Sequence, residues 1–278
     1  MYLLACVAVF LLAYLINITA VSILYHRGLA HRSVALSPAM RRWVVRFGPW
    51  VTGLDPKGWV CMHRRHHAFS DTPDDPHSPV HLGVLGVLLG QLISYERTLV
   101  GLARRDPKYT VHVEDLDFPT HWLNRKRIWF VPYLLHLAVA IAIAAPTGLW
   151  ALAVCYWLGM MSHPLQGWMI NSFGHAFGGR NFDTDDNARN NALAAWLVFG
   201  EGYQNNHHAF PRSAKFSYLR TEVDMGYGIC RILERFGLLE VAQDQLIPAP
   251  RRSRSRSPGR LGSFAQVAAE LPSEIGGA

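Results

Sequence analysis

The sequence predicts an all-α fold: an integral membrane helical bundle of about three transmembrane helices carrying a cytosolic helical cap. Three observations point there. Half of the 278 residues are apolar and 9 are tryptophan, a composition that leans towards the bilayer. No charged side chain occurs from Met1 to Tyr25, and a helix of that run would be about 37 Å long, enough for a hydrocarbon core of ~30 Å. Two further apolar tracts, Ile128 to Ala145 and Leu149 to Ile170, flank a "PTG" break and read as a hairpin.

The elements follow in chain order. The first run is expected to be a span rather than a cleaved signal peptide, because it shows neither a basic n-region nor a small-residue cleavage site. "RRWVVRFGPWVTGLDPKGWVCM", Arg41 to Met62, is interrupted by Arg46, Asp55, Lys57 and several Gly and Pro positions. A charge at the centre of a spanning helix costs roughly 2.5 to 3.5 kcal/mol, so this segment is expected at the interface or as a re-entrant loop. "HLGVLGVLLGQLIS", His81 to Ser94, is 14 residues and too short to span. The later hairpin goes out and returns. Three crossings result, with Met1 outside and the C-terminus in the cytosol. Residues 1–247 form one membrane domain. Residues 248–278 contain "PRRSRSRSPGR", a basic Ser/Arg/Pro-rich stretch that builds no core and is expected to be disordered.

The formal charge of +7 gathers in that tail, where it could attract anionic lipid or an acidic substrate carrier. Nucleic acid is excluded as a partner, since no folded basic and aromatic platform accompanies the arginines. The cysteines, Cys6, Cys61, Cys155 and Cys230, form no CxxC pair, which excludes a disulfide framework and a thiolate zinc knuckle.

Seven of the 14 histidines sit in three tight groups: His26 and His31 in "HRGLAH", His63, His66 and His67 in "HRRHH", and His207 and His208 in "NNHH". On a helix, positions i, i+3 and i+4 share one face, while the rotation between the last two lets them address different metal ions. The pattern suits a dinuclear site, and imidazole suits iron, zinc, copper or nickel. No "HExxH" of a zinc protease occurs. His77, His81, His112, His121 and His136 stand outside the boxes and read as ordinary polar residues. His163 ends an apolar helix close to "NSFGH". Ligands must converge in space, so box two lies on the membrane side of box one, and the hairpin returns Asn171, His175 and box three beside them. A membrane metal carrier or sensor is the non-enzyme alternative, but it expects ligands at the bilayer midplane, whereas these boxes flank the spans.

Taken together, "HRGLAH", "HRRHH" followed by "AFSDTPDDPHS", "NSFGH" and "GEGYQNNHHAFP" resemble the membrane fatty acyl desaturases, within them the stearoyl-CoA (acyl-CoA) desaturase type. The resemblance covers roughly Thr19 to Leu239. It implies a membrane anchor and a cytosolic cap holding two iron ions (Fe2+), ligated by nine histidines and an asparagine-held water. Carried over by position, it assigns His26, His31, His63, His66, His67, His175, His207 and His208 to the metals and Asn171 to the water. It implies an O2-dependent insertion of a cis double bond, Δ9, into a fatty acyl-CoA or acyl carrier substrate. A hydroxylase on the same scaffold is the alternative within enzymes.

Two departures stand out. The family places two spans before box one, whereas this chain begins with what looks like the second. Gln204 stands where the stearoyl-CoA type has histidine; front-end desaturases also carry glutamine there, which implies an amide-oxygen ligand or an outer-sphere role. No fused cytochrome b5 domain and no "HPGG" occur, so electrons are expected from a separate donor of ferredoxin or cytochrome b5 type. Arg64, Arg65, Arg189 and Lys215 are candidates for the carrier phosphates. "DTPDDPHS" is expected to be a turn and cap that hydrogen-bonds to ligands, and Glu201, Asp183 and Asp186 are further outer partners.

Overall fold

The computed structural model describes residues 1–245, and the tail expected at 248–278 lies outside them. The chain starts with α1 (Tyr2–Ile18), which runs without a break into a π-helical stretch, Thr19–Ala30. Together they make a helix of 29 residues with mean hydropathy 2.4. Among the described residues it is the one helix long and apolar enough to cross a membrane, judged by length and composition. Its widened end carries box one, and i→i+5 bonding stacks His31 over His26, with His31 N–H donating to His26 O at 3.0 Å.

After the short strand β1 (Val34–Leu36), the interrupted segment forms two helices. In α2 (Pro38–Thr52) the Ser37 hydroxyl accepts from Met40 N, and Pro38 supplies a helical φ at the first position. It ends at Gly53, whose φ of 72° suits a residue without Cβ. Asp55 then caps α3 (Pro56–Phe69) by accepting from Gly58 N at 2.8 Å.

The next helix departs from the sequence boundaries. Rather than 14 residues, α4 runs 25, Pro79–Ala103, with a non-helical kink at Gly83. Tyr95 to Ala103 carries no proline to stop it, and Val87, Gln91, Tyr95, Thr98 and Gly101 continue one buried face at helical spacing. Two single turns, α5 (Pro107–Thr110) and α6 (Trp122–Arg125), lead to the hairpin. Its first arm is α7 (Val131–Thr147), closed by Gly148 with φ 71°. Its second arm is shorter than the apolar tract implied. After α8 (Trp150–Met160) the helix stops at Met161 and resumes as α9 (His163–Trp168), because Pro164 has no N–H to continue the ladder. A second π-helical turn (Met169–Phe173) and α10 (Gly174–Ala176) follow, then α11 (Ala192–Leu197), α12 (Gln204–Ala209), α13 (Met225–Arg235) and β2 (Leu239–Val241).

The described chain is mostly helical, but β1 and β2 pair antiparallel, Val34 facing Val241, a contact the all-α expectation did not contain. The pairing closes the chain back beside box one. At the other end α1 lies close against α8: a Cβ on Gly159 would sit 2.7 Å from Phe10 O, and Asn17 Nδ2 donates to Met160 O at 2.7 Å. The main core gathers Ile23, Tyr25 and Leu29 from the π-helical stretch, Val60 and Cys61 from α3 and Cys230 from α13. Boxes one and two thus rest on the same packed helices.

Candidate metal centre

The eight histidines fall into two groups whose ligand atoms lie within 4.8 Å of one another: His26, His31, His63, His67 and His207, and separately His66, His175 and His208. Helical geometry makes the division. His63 and His67, four residues apart on α3, face one group, while His66 between them turns to the other. The adjacent pair on α12 splits likewise, His207 to the first and His208 to the second.

In the five-histidine group the ring nitrogens face one another. Nε2 of His31 approaches Nε2 of His63 to 2.7 Å, and Nε2 of His207 lies 3.1 Å from that of His26 and 3.0 Å from that of His67. Burial holds His31, His63, His67 and His207 well below the ordinary imidazole pKa, and the neighbouring rings add to it, so these groups are neutral donors. Among the described residues one carboxylate serves the group: His26 Nδ1 donates to Glu201 at 2.8 Å. Glu201 also accepts from Arg27 at 2.5 Å and from Ser22 Oγ. Arg27 is fully buried, stacked over Phe216 and paired with Asp224 at 3.3 Å. Burial opposes ionisation of Glu201, yet His26 and Arg27 hold its pKa at about 2.

The three-histidine group is built differently. Each Nδ1 donates to its own carboxylate, His66 to Asp75 and His175 to Asp71 at 3.0 Å, and His208 to Asp186 at 2.5 Å. An ionised carboxylate only accepts, so the proton sits on Nδ1 and the lone pair on Nε2. Burial works against these charges, but His175 keeps Asp71 at about 2, and His66 and His208 pull Asp75 and Asp186 lower still. Nε2 of His66, His175 and His208 is buried without a hydrogen-bond partner among the described residues. Three buried imidazole lone pairs that converge without partners fit a cation of the Fe2+ class, and iron would supply the missing bonds.

With this geometry in view, comparison with known proteins is specific. The fatty acid desaturase family model matches residues 2–223. The chain belongs to the fatty acid desaturase family. It is 32% identical over 241 residues to a hex-5-enoyl-[acyl-carrier protein] acetylenase of Moorena producens, covering 81% of this chain and 72% of the relative. An acyl-CoA 5-desaturase of Anemone leveillei is 31% identical, over 84% of this chain and 69% of its own. An sn-1 stearoyl-lipid 9-desaturase of Anabaena variabilis is 31% identical, over 77% and 75%.

Other desaturase positions landed unevenly. Asp71 and Asp75 of "DTPDDPHS" and the outer candidates Glu201 and Asp186 all touch histidines, whereas Asp183 shows no such contact among the described residues. Asn171 Nδ2 donates to Gln91 Oε1 at 3.5 Å, across to α4. Gln204 is buried, and its Nε2 donates to the Glu201 carbonyl at 2.7 Å. Arg64 is not available for a phosphate: it is buried, bidentate to Asp115, and donates to the Leu29 and Ala30 carbonyls. Arg65 is buried too, over the Tyr109 ring. Arg189 and Lys215 remain partly exposed.

Sequence reasoning read His77 as an ordinary polar residue and missed one buried network. His77 stands 4.7 Å ring to ring from His66, with both ring nitrogens buried and unpartnered, and it forms a third possible group with His66 and Asp75. Its place two residues after Asp75 was the available signal. The Arg27–Glu201–Asp224 network joins residues up to 197 apart and left none. His81 Nε2 meets the Asp71 carbonyl at 3.2 Å, behind the smaller group, while His121 and His136 bond elsewhere and His163 meets the Tyr133 hydroxyl at 2.9 Å.

Proposed function

We propose that the chain is an O2-dependent di-iron desaturase that introduces a cis double bond at Δ9 of a fatty acyl-CoA. The observation that carries this reading is the convergence of eight histidines into two groups, with the three Nε2 atoms of the smaller group unpartnered. His26, His31, His63, His67 and His207 would hold one iron, and His66, His175 and His208 the other, with Asn171 and Gln204 at the margin. Two irons supply redox chemistry that breaks unactivated methylene C–H bonds, which side chains alone do not. The balance is two hydrogens from adjacent carbons, O2, two electrons from a separate ferredoxin or cytochrome b5 type donor and two protons, giving the alkene and two waters.

The chain's own groups do the rest. Asp71, Asp75, Asp186 and Glu201 fix the ring tautomers and orientations. Arg27 offsets the Glu201 and Asp224 charges, so the larger group is not surrounded by uncompensated anions. The acyl chain enters the apolar helices, where its position against the histidines sets which carbons react. The Δ9 assignment is supported by the stearoyl-CoA pattern of the boxes and by the named position of the Anabaena variabilis relative. The apolar helices support an integral, multi-pass membrane protein with α1, α7 and α8 onwards as the crossings and the histidines on the cytosolic side.

Lipid analysis of a host expressing the chain with its redox partner tests the reaction. An acyl product short of two hydrogens, with the cis double bond at carbon nine, is expected. A product that gains oxygen instead makes the chain a hydroxylase, and an unaltered profile despite bound iron rejects the enzyme reading. Reporter fusions at both ends test the topology, with an N-terminal fusion outside expected; one found in the cytosol rejects three crossings.

A further inference from the structure

Away from the histidines, α2 and the segment that enters α6 enclose an open cavity of about 640 Å³. Arg46, Phe47 and Trp50 line it from one side and His121, Trp122 and Arg125 from the other. Two of the aromatic rings meet across it, Trp50 and Trp122 lying 6.0 Å apart. Phe47 and Trp122 are 45% and 40% exposed, so apolar ring surface faces out of the groove beside its arginines.

The charge is one-sided. No Asp or Glu occurs in residues 38–53 or 118–130. The nearest carboxylates are engaged: Asp117 pairs with Arg41, and buried Asp55 accepts from Gly58 N, His121 N and Asn124 Nδ2, which fixes the floor of the groove. Neither Arg46 nor Arg125 has an ion pair or side-chain hydrogen bond among the described residues, and both are exposed. The apolar helix α7 starts six residues after Arg125, and His136 on α7 meets the Trp50 carbonyl at 2.8 Å, holding α2 against it. Guanidiniums without an ion pair, that of Arg46 lying 5.5 Å over the Phe47 ring, stand beside tryptophans at the mouth of an apolar helix and match the headgroup level of a bilayer.

We propose that this groove binds the phosphodiester headgroup of an anionic phospholipid, with Arg46 and Arg125 on the phosphate oxygens and Trp50 and Trp122 along the glycerol ester region. Guanidinium forks match phosphate oxygens, and the amphipathic indole rings suit the ester level. An acidic redox protein would meet the arginines equally well, but exposed Phe47 and Trp122 adjoining α7 favour a lipid. The inference rests on the reading of the chain as a membrane protein.

The test uses the full chain, loaded with iron and reconstituted in phosphatidylcholine nanodiscs containing a trace of photoactivatable phosphatidylglycerol. Crosslinked residues are mapped by mass spectrometry. Labelling within 42–50 and 119–127 is expected, competed by unlabelled phosphatidylglycerol and not by phosphatidylcholine or inorganic phosphate. It should fall several-fold in Arg46→Gln/Arg125→Gln, with iron content unchanged. Equal labelling by a phosphatidylcholine probe overturns the site, as does competition by inorganic phosphate. Protection by an acidic ferredoxin but not by phosphatidylglycerol overturns it in favour of a redox-partner surface. Carbonate extraction reads the membrane assignment separately: a chain released by carbonate overturns both, whereas a retained chain with unselective labelling overturns the lipid site alone.

Discussion

The two histidine groups lie side by side and share α3 and α12, yet they are held by opposite means. Five imidazoles crowd the first, their nitrogens 2.7 to 3.1 Å apart in pairs, with Glu201 as the single carboxylate behind them among the described residues. Three imidazoles make the second, and each is backed by its own aspartate. The first invests in the number of imidazoles and the second in charge behind them. A cation in the first keeps four nitrogens after one is lost. A cation in the second has little to spare, and its affinity depends on Asp71, Asp75 and Asp186 making the Nε2 lone pairs more basic.

Single ligand removals should break the symmetry most visibly. His208→Ala and His207→Ala are both expected to abolish unsaturated product, but they should differ in metal content. His208→Ala should hold about one iron per chain rather than about two, whereas His207→Ala stays closer to two, because four imidazoles remain. Metal analysis of purified, membrane-inserted protein decides it. Equal losses in the two variants would mean that the groups act as one unit.

The next effect lies behind the ligands. Asp186→Asn should weaken the second ion by about 10–100-fold and leave thermal stability of the metal-free chain nearly unchanged. Glu201→Gln should do the reverse. It leaves buried Arg27 with Asp224 alone at 3.3 Å, a loss of about 3 kcal/mol by the usual cost of breaking a buried pair. Chelator competition and thermal melts separate the two outcomes, and a matched response in both assays would remove the distinction.

What the sequence disclosed follows the same division. Histidine spacing was legible because helical rotation alone separates His63 and His67 from His66, so the pattern implies two directions without a fold. The carboxylates within a few residues of a box, Asp71 and Asp75, were legible as polar partners for the same reason. The partners themselves were not: Asp71 serves His175, 104 residues away, and only packing brings them together. Arg27 lies beside His26 in box one, but nothing in the sequence marks it as buried; the fold sets it over the Phe216 ring. Helix ends misled where apolar content and backbone chemistry disagree, as at Ser94, which α4 passes, and at Pro164, which cuts the second hairpin arm. The β1–β2 pair rests on three residues in each strand, too few to leave a periodicity.

The smallest effect, and the sharpest for the comparison, belongs to Gln204. It occupies the position where the stearoyl-CoA type adds another imidazole, and its side chain packs on Gly174, next to His175 of the three-histidine group. Its amide nitrogen is committed to the Glu201 carbonyl, the residue whose side chain serves the other group. Gln204 therefore sits between residues that flank the two groups, held by one local hydrogen bond. Gln204→Ala should cost about 1 kcal/mol of stability for that buried bond and leave both ions in place. A large loss of the second ion in the alanine variant would instead make the amide oxygen a ligand. Gln204→His tests the converse. An imidazole there would bring the smaller group to four nitrogens, and it should slow release of the second ion to a chelator if the new ring fits beside Gly174. A Cβ on Gly174 would already lie 2.5 Å from the present glutamine Cγ, so Gly174→Ala should block that gain. If Gln204→His changes nothing with Gly174 intact, the second ion is held by charge rather than by number, which is the difference between the two groups in its strongest form.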